Sequence, residues 1–207
     1  MAIIAHQYKE LKMKKLYFLI CISLVFSACE GEVGKEIISS GTNNTKEQLL
    51  AMENIDRNSY AEVSDVFLET SKITSQHLPY FLVFSANGCV YCDRLKNLIK
   101  ENHEIKEFLK ANYASYYINM SYTKTHQVDF LNQTLSTTDL ALKYNIKPTP
   151  TLVFLSKEGK ELFIYPGFMP KNRLLATLEF LTNPTLQDKD SKTIAQELQI
   201  YWKQIGV

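Results

Sequence analysis

Two thiols one helical turn apart, Cys89 and Cys92, are the residues of this chain best suited to do chemistry. They follow the apolar run Tyr80-Phe81-Leu82-Val83-Phe84 by way of Ser85-Ala86-Asn87-Gly88. Four chemistries use such a pair. Zinc needs two more ligands at comparable spacing, yet the other cysteines, Cys21 and Cys29, lie near the N-terminus, and His77, His103 and His126 stand singly. A structural disulfide across so short a loop would restrict the unfolded chain very little. Soft thiolates also suit Cu(I) or haem assembly, although one pair without a Met or His cluster is a thin site. Reversible thiol–disulfide exchange needs only the pair itself, with no metal and no cofactor.

The N-terminal sequence bears on the compartment. Met13-Lys14-Lys15, a largely apolar run of 11 residues over 16–26, and Ser27-Ala28 make the basic, apolar and small-residue parts of a secretory signal. The apolar run falls short of the roughly 20 residues that cross a bilayer as a helix. Ser27-Ala28-Cys29 resembles a bacterial lipobox, with Phe26 where leucine is usual, and the resemblance implies that Cys29 is lipid-modified as the first mature residue. An anchor without lipid, cleaved or uncleaved, is the alternative. Met13 reads as the true start, which makes 1–12 an extension outside the fold. Once Cys21 leaves with the signal and Cys29 is acylated, Cys89 and Cys92 are the thiols that remain.

A net charge of +1 with 45% hydrophobic residues describes a globular chain with no electrostatic bias towards nucleic acid. Residues 1–28 read as the signal region and 29–50 as a flexible tether rich in Gly, Ser, Thr and Asn. Some 20 residues of such chain reach on the order of 25 Å. The globular domain is expected over 51–183, with a helical extension over 184–207.

The dithiol has to be presented by regular elements. Residues 65–76 look helical, and 78–86 hold a continuous apolar run fit for a strand buried on both faces. Apolar residues at Leu95, Leu98, Ile99, Ile105, Phe108 and Leu109 recur at helical spacing, with a break near Asn102-His103. Strands are expected over 114–120 and 151–155. A short helix over 138–144, capped at Thr137 or Thr138, lies between them. A turn at Lys157-Glu158-Gly159-Lys160 makes a hairpin with 161–165, and 173–181 is helical. The order βαβαββα gives an α/β sandwich of three layers. Residues 121–136 are read either as the frame of a substrate groove or as a loop with a small hairpin. Ile194, Leu198, Tyr201, Trp202 and Ile205 share one helical face, which either docks on the domain or faces a partner or membrane.

These features resemble the thioredoxin fold over about residues 60–183: Cys89-Val90-Tyr91-Cys92 at a strand-to-helix junction, Lys143-Tyr144-Asn145-Ile146 leading into Pro148-Thr149-Pro150-Thr151-Leu152, and a glycine after the hairpin. The stretch Ile164-Tyr165-Pro166-Gly167-Phe168-Met169-Pro170 resembles the periplasmic, SoxW-type branch. The resemblance implies that Cys89 attacks as a thiolate at a helix N-terminus and that Cys92 resolves the mixed disulfide. It also implies a cis peptide bond at Pro150, with the backbone of Thr149 pairing with an extended substrate.

The chain departs from the family too. Val83 stands where thioredoxins bury a carboxylate, no lysine accompanies it on 117–120, and Gly88 replaces a tryptophan before Cys89. Glu62 and Asp65 remain as carboxylates that no motif places. Val90-Tyr91 supplies no positive charge between the cysteines, which points to a reductant or isomerase over a strong oxidant. The expected protein is therefore a monomeric, lipid-anchored envelope oxidoreductase. Its partners would be cysteine-containing envelope proteins and a membrane dithiol donor. A copper or haem-assembly carrier, and a disulfide isomerase, are the competing readings.

Overall fold

A 3-10 segment, Ile55–Val63, kinked at Tyr60, opens the computed structural model, which describes residues 55–207. The signal, the tether and Cys29 lie outside these residues. The two-residue strand β1 (Lys72–Ile73) comes next, so the helix expected over 65–76 does not form. Val66 and Phe67 are drawn into the core and Leu68 bridges in parallel to Tyr116. The β-branched Thr70, Ile73 and Thr74 that follow favour extended backbone.

β2 (Tyr80–Ser85) is buried at every position, as its uninterrupted apolar run requires. Phe81 and Val83 face one core, while Tyr80, Leu82 and Phe84 face the other. The helical stretch after the cysteines divides into α1 (Val90–Glu101) and α2 (His103–Asn112). Asn102 separates them with extended backbone (φ −109°), and its side-chain Nδ2 donates to the Leu98 carbonyl at 2.7 Å. The break predicted at Asn102-His103 is therefore present.

β3 (Ala114–Asn119) runs parallel to β2. Residues 121–136 form a hairpin, β4 (Thr125–Val128) and β5 (Gln133–Ser136), which joins β1 in a small sheet of order β1-β4-β5. α3 (Thr137–Lys143) starts one residue before the expected span, because Ser136 and not a threonine caps it. The Ser136 Oγ accepts from the Asp139 N–H at 3.1 Å. β6 (Thr151–Leu155) and β7 (Glu161–Pro166) form the expected hairpin. α4 (Lys171–Leu181) and α5 (Ser191–Ile205) complete the described chain.

The main sheet has the order β3-β2-β6-β7, with β2 and β3 parallel and the other pairs antiparallel. Leu95 and Ile99 of α1, Ile105 and Leu109 of α2, Leu174 and Leu178 of α4, and Ile194, Leu198 and Trp202 of α5 fill the core on one face. Ile73 of β1, Val128 of β4 and Leu140 of α3 close the other. This is the α/β three-layer fold expected from the sequence. The C-terminal helix docks on its own domain and shares its core.

One buried ion cluster ties the small sheet to the start of the described chain. Lys124 meets Asp56 Oδ1 at 3.1 Å and also pairs with Glu69. The Thr70 hydroxyl donates to Asp56 Oδ2 at 2.8 Å. Pairing in this way is what makes a carboxylate as enclosed as Asp56 tolerable inside a fold.

Candidate active site

Parallel pairing with β3 and antiparallel pairing with β6 put the C-terminal end of β2 between two neighbours at one edge of the molecule. Residues 86–88 leave that end and turn into α1. Gly88 makes the turn with φ +70°, a left-handed conformation that suits a residue without a side chain. Cys89 is the N-cap of α1, and its Sγ accepts from the Cys92 N–H at 3.1 Å. The helix N-terminus thus directs the Cys92 N–H, which the sulfur shares with the Cys89 carbonyl at 2.9 Å, and the positive end of its dipole at the first sulfur.

The two cysteines form a disulfide with their Cα atoms 5.2 Å apart. Their exposure differs. Cys89 is half-buried, whereas Cys92 is 2% exposed on the inner face of α1 beside Leu95 and Ile99. An incoming group therefore meets Cys89 first. Val90 and Tyr91 between them are exposed.

Phe84 pairs with Thr151 across β2 and β6, so the cysteine loop and Pro150 emerge at the same end of the sheet. The Thr149–Pro150 peptide bond is cis. Pro150 is buried and Thr149 half-buried. The Pro150 carbonyl accepts from the Gly167 N–H at 2.7 Å, and the Thr151 hydroxyl donates to the Pro148 carbonyl at 2.7 Å. These bonds fix the proline loop against the end of β7. Cys89, Cys92, Thr149 and Pro150 are thus brought to one end of the main sheet.

Three polar residues that the sequence reading passed over hold the cysteine loop. The Asn119 Nδ2 donates to Asn87 Oδ1 at 2.8 Å, the Ser121 N–H donates to Asn119 Oδ1 at 3.0 Å, and the Asn87 N–H donates to Ser121 Oγ at 2.9 Å. Arg94 was also missed. Its guanidinium lies 5.4 Å from the Tyr91 ring centroid and 4.9 Å from that of Phe168, linking α1 to the loop after β7 by cation–π contacts. The i,i+3 spacing of Tyr91 and Arg94 was the available signal. Val90-Tyr91 carries no charge of its own, but Arg94 brings one to the surface of Tyr91.

The carboxylates singled out in the sequence are both engaged. Asp65 pairs with Lys106 at 2.9 Å, and that hydrogen bond holds its carboxyl below the usual range. Glu62 pairs with Lys96 at 3.3 Å. Val83 is fully buried, and Tyr117 lies opposite it across β2 and β3. Burial, above all, pushes the Tyr117 phenol up. Among the described residues, no group of three or more His, Cys, Asp or Glu side chains is arranged to hold a metal ion. Nor is any described helix long and apolar enough to cross a membrane.

Residues 66–182 match the profile of the thioredoxin-like domain. The chain belongs to that thioredoxin-like family. It is a thiol–disulfide oxidoreductase of this fold. One relative is the disulfide bond reductase DsbH of Chlamydia pneumoniae, 29% identical over 154 residues that cover 74% of this chain and 84% of the relative. Among solved structures, a thioredoxin-fold protein from Helicobacter pylori is 37% identical, with a TM-score of 0.67 over 72% of this chain and 97% of its own. In this thioredoxin-like chain the cysteine loop, the Thr149-Pro150 loop and the end of β7 lie at the same end of the main sheet.

Proposed function

We propose that this protein is a membrane-tethered reductase of the bacterial envelope that reduces disulfides of secreted proteins through Cys89 and Cys92. The observation that carries the reading is the asymmetry of the pair: a half-buried Cys89 at the N-cap of α1 and a buried Cys92 one turn behind it. Cys89, as a thiolate favoured by the helix terminus, attacks one sulfur of a substrate disulfide. Cys92 then attacks Cys89 and frees the reduced substrate. Thr149, before Pro150, offers its backbone to the substrate segment.

The direction of electron flow is supported by the likeness to the chlamydial disulfide bond reductase. The same likeness supports an envelope location, and the match over 66–182 is compatible with the SoxW-type branch. The lipobox-like Ser27-Ala28-Cys29 supports anchoring through a lipid on Cys29, after removal of 1–28. Residues 29–50 would then act as the tether, 51–183 as the catalytic domain and 184–207 as its helical extension. The protein works as a monomer that is recharged by a membrane dithiol donor.

The test uses two variants in cells. Cys89→Ser is expected to abolish disulfide reduction, and Cys92→Ser to accumulate mixed disulfides on Cys89 with cysteine-containing envelope proteins, read by mass spectrometry after non-reducing separation. Full reductase activity in Cys89→Ser sinks the mechanism.

A further inference from the structure

Three segments emerge with the dithiol at one end of the main sheet: residues 86–94, 145–150 and 167–171. Their charged side chains are Asp93, Arg94, Lys147 and Lys171. The acid among them, Asp93, is taken by Lys96 at 3.1 Å. Among the described residues, none of Arg94, Lys147 and Lys171 pairs with a carboxylate, and all three side chains are exposed. A chain whose net charge is only +1 thus gathers unmatched positive charge around its site.

Arg94 is the cation that contacts tie to the reacting groups. The Pro150 carbonyl accepts from the Gly167 N–H at 2.7 Å, and Phe168 follows Gly167. The Arg94 guanidinium lies 4.9 Å from the Phe168 ring centroid and 5.4 Å from that of Tyr91. Tyr91 stands between the two cysteines. Bonds and contacts therefore lead from the proline loop through Phe168 and Arg94 to the dithiol.

Both rings are met over their faces, a contact that uses the charge of the guanidinium and not its N–H groups. Its five donors lie in the plane of the fork, and none has a partner among the described residues. Stacking on two rings also limits a side chain that is otherwise costly to order on binding. A planar, permanently charged fork with free donors matches a carboxylate, which takes two parallel hydrogen bonds from it. An ammonium would be repelled, and an apolar side chain would leave the donors unfilled.

We propose that Arg94, held against Tyr91 and Phe168, is a specificity-determining residue that binds an Asp or Glu side chain close to the reactive cysteine of the substrate. Lys147 and Lys171 add to the field that draws such a segment in. The protein thereby selects disulfides that lie in acidic stretches of polypeptide. This selectivity rests on the reading of the chain as a reductase that works through Cys89.

Fluorogenic peptides, quenched across a single disulfide flanked on both sides by Glu or by Lys, test the assignment. Their second-order rates of reduction by the reduced full chain are compared at about 10 mM ionic strength, where the Debye length is about 30 Å. The Glu peptide is expected to react roughly 10-fold faster, the low end of electrostatic steering. That ratio should shrink at about 1 M salt, where the Debye length is about 3 Å. Arg94→Gln should lower it roughly 3-fold, as for one partly exposed ion pair. Phe168→Ala, which loosens the stack without touching the charge, should also lower it and keeps the test decisive if Arg94→Gln fails to fold. Lys100→Gln removes an equal charge from the last turn of α1 and should keep the wild-type ratio. Equal wild-type rates on the two peptides, a wild-type ratio in Arg94→Gln or in Phe168→Ala, or an equal loss in Lys100→Gln overturns the assignment. Failure to reduce either peptide would instead overturn the reductase reading itself.

Discussion

Asn119 and Asn87 are joined side chain to side chain, Nδ2 to Oδ1 at 2.8 Å, across 32 residues of sequence. Asn119 ends β3 and is 4% exposed, whereas Asn87 lies on the loop that delivers Cys89. Ser121 closes the ring by accepting from the Asn87 N–H and donating to Asn119. A loop with its backbone and side chain both tied to the sheet presents Cys89 in one place.

Asn119→Ala breaks two of the three bonds and leaves the Ser121 N–H and the Asn87 amide in need of solvent. The expected cost is about 1–2 kcal/mol, the range for hydrogen bonds lost beside a solvent-accessible loop. Urea unfolding of the oxidised protein measures it. A variant within 0.5 kcal/mol of wild type, roughly the scatter of surface substitutions, would remove Asn119 from any role in holding the loop.

The dithiol, the strand before it and the helix break after it were legible in the sequence because each rests on local signals: a continuous apolar run, an N-cap position and Asn102. The Asn119–Asn87 ring was not, nor was the pairing of Lys124 with Asp56 across 68 residues. Contacts of that kind depend on register between distant elements, which no periodicity announces. The two-residue strand β1 was missed for the same reason. Lys72 and Ile73 show no strand pattern by themselves and become a strand by pairing with Gln127 and Val128. Of the site, the cysteines and the Thr149-Pro150 loop were readable as a motif. Lys96 was one more lysine on an amphipathic helix until Ser59 and Glu62 were packed against it.

Stability should depend on pH through His126. The ring is 1% exposed, with Nδ1 2.6 Å from the Thr70 carbonyl and Nε2 3.0 Å from the Thr137 hydroxyl. Burial, the largest influence, holds its pKa below the ordinary value. The Thr70 carbonyl, Asp56 and Glu69 act the other way, and Lys124 adds to the lowering. The unfolded chain therefore takes up this proton near pH 6.5, before the folded one does. Stability from the neutral ring is complete above that pH and is lost as pH falls from about 6.5 through the lower folded value. Urea midpoints at pH 7.5 and pH 5.5 are expected to differ in wild type, and the difference should shrink in His126→Asn. An unchanged difference would assign the pH dependence to other groups.

Trp202 decides whether the C-terminal helix belongs to the core. Its ring is 8% exposed and meets Phe163 and Tyr165 edge-on, with centroids 6.0 Å and 6.4 Å away. The Arg173 guanidinium lies 4.9 Å from the ring centroid. The indole N–H donates to Thr177 Oγ1 at 3.1 Å, while the Thr177 hydroxyl itself donates to the Arg173 carbonyl at 2.6 Å. Thr177 thus keeps a partner if the indole N–H is removed. Trp202→Phe should cost about 1 kcal/mol, close to a single hydrogen bond. Trp202→Ala, which opens a cavity between α4, α5 and β7, should cost about 3–5 kcal/mol. Denaturation of both variants separates the contributions of shape and hydrogen bond. A helix reserved for a partner would instead leave domain stability the same in both variants, because its apolar face would add nothing to the core of the isolated chain.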